Sequence, residues 1–145
     1  MSEKKAKVQW QGAGKEGSGK ISTETQALQA YPYGFGSRFG DDRTGSNPEE
    51  LLAAAHAACF TMAFSFGCKE AGYDTKTART EARVRLSKDG DGFVIDRIEL
   101  TLHATVEGLD EKRFQEIAQD AKTNCPLSKA LASVAEISLE AHLES

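Results

Sequence analysis

Cysteine is scarce: Cys59, Cys68 and Cys125 are the only three in 145 residues, and their odd number and wide spacing argue against a structural disulfide framework. Their thiols are left either reactive or simply buried. Proline is equally sparse at three, beside 13 glycines, which excludes collagen-like repeats and Pro-rich low complexity. No basic block occurs. Eighteen Lys and Arg stand against 22 Asp and Glu for a formal charge of −4, so no strip exists to neutralise successive phosphates, and no nucleic-acid partner is expected. No apolar run follows Met1 to Lys7, so no secretory signal is expected and the cytoplasm is the expected compartment. Cys-x-x-Cys, His-x-His and His-x-x-x-His are all missing, and with them any expectation of a metal site.

What is present is an ordinary globular composition, 39% hydrophobic and 28% charged, of a length that fits one domain over residues 1–145. Ala6 to Trp10 and Lys20 to Thr25 read as a β-hairpin around the Gly-rich stretch 12–19. That stretch has neither a following helix nor a terminal Gly-Lys-Ser/Thr, so it reads as a mobile turn rather than a phosphate loop. Tyr31 to Gly40 then packs four aromatics, three glycines and Arg38 into ten residues. It reads as a loop whose rings either pack on the core or line a pocket with Arg38 directed at an anion.

A helix start follows, with Asn47 as N-cap, Pro48 at the first helical position and Glu50 three residues after the cap. From Leu51 to Cys68 the helix carries no charge, and its apolar residues go all the way round, so it needs cover on nearly every side. The length approaches a bilayer span, but six of these 18 residues are alanine, and His56, Thr61 and Ser65 interrupt the rest. A central helix of a small protein, with no membrane, is the better reading.

Alternation at Ala82, Val84 and Leu86 marks a half-buried strand, and Asp89 to Gly92 a turn. Ile98, Leu100, Leu102, Ala104 and Val106 alternate in turn, with Phe93 and Ile95 out of phase, which predicts a β-bulge near Asp96. Asp110 caps a second helix with the stripe Phe114, Ile117, Ala118 and Ala121. Pro126 opens a short helix, and a last strand runs through Ile137, Leu139, Ala141 and Leu143. The order ββ, α, ββ, αα, β predicts an α+β fold, an antiparallel sheet with a long central buried helix. One such layer leaves part of the long helix bare, which predicts a homodimer.

His103 and His142 fall at polar strand positions, whereas His56 lies one turn before Cys59. A Cys–His hydrolase pair needs a third, orienting group, and the sequence nominates none. Cys68 near the helix end reads as a small core hydrophobe. Cys125 starts a helix in Asn124-Cys125-Pro126-Leu127, where free amides favour a thiolate; Cys59 lies about three turns into its own helix and lacks that help.

The segment Asn47-Pro48-Glu49-Glu50-Leu51-Leu52-Ala53-Ala54-Ala55-His56-Ala57-Ala58-Cys59-Phe60, with Asn124-Cys125-Pro126-Leu127-Ser128, resembles the OsmC/Ohr family of thiol peroxidases. The run Tyr31 to Phe39, and His56, resemble its OsmC branch. The resemblance implies an intertwined homodimer with active sites at the subunit interface, and reduction of hydroperoxides without metal or organic cofactor. Cys59 then matches the peroxidatic cysteine, Cys125 the resolving one, Arg38 the thiolate-stabilising arginine and Glu49 the carboxylate that holds the arginine. Tyr31, Tyr33, Phe35 and Phe39 would line the substrate pocket and favour organic hydroperoxides over hydrogen peroxide. The expected reductant is an external dithiol, such as a lipoyl group.

A thiol of pKa about 8.5 is only about 3% ionised at pH 7. One guanidinium at about 4 Å contributes on the order of 4 kcal/mol at an effective dielectric near 20, or roughly three pKa units before desolvation is subtracted. The alternative to a peroxidase is a thiol redox sensor, or a stress-induced protein that binds an apolar ligand in the same pocket.

Overall fold

The computed structural model describes all 145 residues, which form two compact units, Met1–Leu51 and Leu52–Ser145. The first unit holds a three-stranded antiparallel sheet of β1 (Ala6–Gln11), β2 (Ser18–Thr23) and β3 (Tyr31–Tyr33), in that order. The β1–β2 hairpin expected from sequence is present. A single 3-10 turn over Gly14–Glu16 occupies its Gly-rich connection. Gly19 is paired with Tyr33, and a Cβ there would overlap the Tyr33 ring; only glycine lets that ring lie across β2.

The run from Tyr31, expected as a loop, instead gives β3 and a short helix α1 (Phe35–Phe39). Pro32 cannot donate to a ladder, and β3 accommodates it as an edge strand. Ser37 Oγ closes the helical turn by accepting from Gly34 N–H at 3.0 Å, and it donates to the Ser46 carbonyl at 2.7 Å. Helix α2 (Pro48–Glu70) starts at the predicted cap, where Asn47 Oδ1 accepts from Glu50 N–H at 2.7 Å.

In the second unit, β4 (Thr75–Asp89), β5 (Gly92–Val106) and β6 (Glu136–Glu144) form a sheet with β5 in the middle. β4 and β5 make a hairpin closed by Gly90 and Asp91, and Gly90 adopts φ +61°, as mirror-image hairpin turns require. Arg85 pairs with Arg97 and Leu86 with Ile95, so Asp96 is the extra residue of the predicted bulge. A second irregularity between Thr75 and Thr77 had no sequence signal.

The β5–β6 pair is parallel, so this sheet is mixed where the sequence predicts an antiparallel one. Helices α3 (Glu111–Asn124) and α4 (Pro126–Ala130) supply the crossover that a parallel connection requires. α3 is capped by Asp110, whose Oδ1 accepts from Arg113 N–H at 2.9 Å, and its predicted stripe, Phe114, Ile117, Ala118 and Ala121, is buried.

The core of this unit joins Phe60, Phe64 and Cys68 of α2 to that stripe and to Ile98, Leu100, Leu102, Ala104 and Val106 of β5. Phe64 and Phe114 meet edge to face at 5.6 Å. Along α2 the buried residues are His56, Phe60, Phe64 and Cys68, one per turn, forming a single slanting stripe. Met62 and Phe66 remain 61% and 68% exposed, so the chain by itself leaves uncovered much of the helix surface that the sequence marks for burial.

Candidate functional site

Arg38 and Glu49 lie in the first unit, held by the start of α2. Asn47 Nδ2 donates to the Ser37 carbonyl at 3.0 Å, and Ser46 Oγ donates to Glu50 Oε2 at 2.6 Å, so α1 and the helix cap share one hydrogen-bond network. On that support, Arg38 Nη2 meets Glu49 Oε1 at 2.7 Å, and Arg38 Nε reaches both carboxylate oxygens at 3.2 Å. The pair is a fork on a carboxylate, which leaves Nη1 outside it. Glu49 is the better buried partner, its side chain 11% exposed against 37% for Arg38.

The aromatic residues expected to line a pocket sit in the same unit. Tyr33 stacks edge to face on Trp10 at 5.6 Å, and Phe35 and Phe39 pair at 5.1 Å. The Arg38 guanidinium stands 5.3 Å from the Phe39 ring centre, a cation–π distance. Tyr31, Phe35 and Phe39 are each about two-fifths exposed.

The second unit brings Cys59 and Cys125 close enough for each thiol to bear on the other, both as free thiols. Cys59 is half-buried on α2, and Cys125 is buried at the junction of α3 and α4. Cys125 Sγ is the cap of α4, accepting from Ser128 N–H at 3.4 Å. The next amide back, Leu127 N–H, favours the thiolate of Cys59. The start of one short helix thus serves both sulfurs, although Cys59 lies deep within a different helix. Burial nevertheless dominates at Cys59 and pushes its thiol up; the Leu127 amide acts against that, and the neighbouring Cys125 adds to it.

Cys68 stands apart from the pair. It is fully buried, and that burial pushes its thiol up, in keeping with a core residue. A cleft of about 610 Å³ passes beside Cys125, lined by Phe66, Gly67, Ile117 and Pro126, with Arg113 and Glu70 among its polar residues.

Two contacts could not be anticipated. His56 Nε2 lies 2.8 Å from Ser128 Oγ, 72 residues away, and Ser128 Oγ lies 3.1 Å from Cys125 Sγ. Ser128 belongs to the cysteine motif read from sequence, but nothing there tied it to His56. Burial holds the His56 imidazole below its ordinary pKa. His103 and His142 pair across β5 and β6 and stack at 4.7 Å, on the polar strand positions expected of them.

Residues 40–140 match the family model described as OsmC-like protein. The chain is 45% identical to Peroxiredoxin OsmC of Escherichia coli (strain K12) over 142 residues, covering 98% of this chain and 97% of that one. It is 37% identical over 101 residues to Organic hydroperoxide resistance protein OhrB of Bacillus subtilis (strain 168), covering 69% of this chain and 72% of that one. The crystal structure of the Bacillus subtilis OhrB superposes with a TM-score of 0.64 at 29% identity, covering 97% of this chain and 98% of that one. Long central helix, α+β architecture and paired cysteine motifs agree with these matches, and the chain belongs to the OsmC-like protein family.

Proposed function

We propose that this chain is a cysteine-based peroxidase that reduces organic hydroperoxides, and hydrogen peroxide more weakly, to the corresponding alcohols or water. The names of its relatives, a peroxiredoxin and an organic hydroperoxide resistance protein, support that chemistry. The observation that carries the reading is the contact between Cys59 and Cys125, two thiols from distant segments gathered at the start of α4.

The Cys59 thiolate attacks the distal peroxide oxygen; the O–O bond breaks, the alkoxide takes a proton and leaves as the alcohol, and Cys59 becomes a sulfenic acid. Cys125 then attacks the Cys59 sulfur, forming the S–S bond and releasing water. An external dithiol, of lipoyl type in the cell, reopens the bridge by thiol–disulfide exchange and is itself oxidised. No metal or organic cofactor takes part, and the free thiols suit a reducing compartment such as the cytoplasm.

Burial pushes the Cys59 thiol up, so the reaction calls for a cation beside it. Arg38 is the residue we assign to that task, with Glu49 fixing the plane of its guanidinium. Tyr31, Tyr33, Phe35 and Phe39 would receive the organic part of the substrate. The exposed Met62 and Phe66 on α2 support a homodimer that completes the site at its interface.

The test is consumption of cumene hydroperoxide with dithiothreitol as reductant, alongside mass spectrometry of the oxidised, unreduced protein. Many equivalents consumed per chain and a Cys59–Cys125 bridge are expected. Oxidation that stops after one equivalent would identify a redox sensor instead, and absence of the bridge would overturn the mechanism. Light scattering should give a dimer, and Phe66→Asp should weaken it.

A further inference from the structure

His56 is fully buried in α2, and its only hydrogen bond is to Ser128 Oγ; its Nδ1 is buried without a partner. An apolar side chain would fill the same space without leaving a polar atom unsatisfied. The contact therefore calls for a use, and the geometry offers one, because Ser128 Oγ touches both His56 Nε2 at 2.8 Å and Cys125 Sγ at 3.1 Å.

We propose that Ser128 and His56 form a proton relay that deprotonates Cys125 as it closes the disulfide. The proposal rests on the disulfide mechanism above and deepens it. Ser128, in contact with the reacting sulfur, is the catalytic residue; His56 acts through it as a positioning residue and proton acceptor.

Before the step the line runs S–H to Ser128 Oγ and O–H to His56 Nε2, with the imidazole neutral and its proton on Nδ1. The Cys125 sulfur attacks the Cys59 sulfenic sulfur, the new S–S bond forms and the S–O bond breaks. The departing hydroxide takes a proton from solvent and leaves as water. The Cys125 proton passes to Ser128 Oγ while the Ser128 proton passes to Nε2. The imidazolium so formed, disfavoured by its burial, then returns its proton to solvent by way of Ser128.

The order of bonds explains why a histidine so well enclosed is useful. Neutral at rest, it keeps a free lone pair at Nε2, and a hydroxyl has a single proton to donate, so Ser128 serves one acceptor while accepting from the thiol. The backbone bond from Ser128 N–H to Cys125 Sγ is independent of the side chain, so a substitution at Ser128 removes the hydroxyl and spares the cap.

The experiment is a single turnover of the reduced full-length protein with one equivalent of cumene hydroperoxide, quenched at intervals. Mass spectrometry then follows dimedone-trapped Cys59 sulfenic acid and bridged protein separately. Ser128→Ala is expected to accumulate sulfenic acid and to bridge about a hundredfold or more slowly, in the range lost when a general base is removed. Ser128→Thr, which keeps the hydroxyl, is expected to recover most of the bridging rate, and heavy water to slow bridging in the wild type but not in Ser128→Ala.

His56→Gln, which still bonds to Ser128 but takes no proton near neutral pH, is expected to match Ser128→Ala. Should it fail to fold, the two Ser128 variants decide the question alone. Wild-type bridging in Ser128→Ala, or equal slowing in Ser128→Ala and Ser128→Thr, would overturn the relay. A wild-type protein that never bridges would overturn the disulfide mechanism, and the relay with it.

Discussion

Arg38 grips Glu49 through Nη2 at 2.7 Å and through Nε at 3.2 Å, so the guanidinium plane is fixed by its carboxylate partner while Nη1 stays available. Arg38→Lys keeps the charge and loses the fork, and Glu49→Gln keeps the shape and loses the charge. Each is expected to slow oxidation of Cys59 by cumene hydroperoxide about tenfold or more, equivalent to about one pKa unit at the thiol. The pH dependence of Cys59 alkylation checks this, its midpoint moving upward in both variants; an unmoved midpoint would remove Arg38 from the site.

Burial lowers the His56 pKa in the folded chain, whereas in the unfolded chain it titrates near 6.5. Below about pH 6.5 the unfolded state therefore holds a proton that the folded state lacks, and stability falls with pH until the folded value is passed. Above about pH 7 both states are neutral and the residue adds no slope. Melting temperatures measured from pH 7.5 down to 5 should fall less steeply in His56→Gln than in the wild type.

Phe64 is fully buried and meets Phe114 edge to face between α2 and α3. Phe64→Ala is expected to cost about 3–5 kcal/mol of stability, the usual range for emptying an aromatic site. Urea unfolding of the reduced protein measures it.

Cys68 sits in the core, away from the sulfur pair. Cys68→Ala is expected to leave peroxide consumption at the wild-type rate and to lower stability by about 1 kcal/mol. Loss of turnover in a folded Cys68→Ala protein would mean that a third thiol takes part in the cycle.

Much of the fold was legible because local rules coincide with the final arrangement. Asn47 and Asp110 cap helices as their side-chain chemistry dictates, and the broken alternation between Ile95 and Ile98 located the bulge at Asp96. The direction of β6 was not legible, since a strand alternates inward and outward residues equally in parallel and antiparallel pairs. Helix α1 was hidden by Gly34, Gly36 and the aromatic residues, whose propensities favour turns and strands. At the candidate site, a motif match named the cysteines, Arg38 and Glu49, and the Arg38–Glu49 pair then appears as an ion pair. The His56–Ser128 bond depends on folding two segments together and has no periodic or spacing signature.

The bulge at Asp96 bears on which changes of length this strand tolerates. A one-residue insertion or deletion elsewhere in β5 would turn every side chain beyond it to the opposite face and expose Leu100 or Leu102. Removal of Asp96 itself would leave Ile95 and Ile98 in ordinary alternation, so the ladder would close flush and forfeit only the local bend and the two 2.8 Å bonds from Arg85. The strand thus carries at that point a spare link, and the hairpin end from Ser87 to Ile95 could be shortened there without inverting the core.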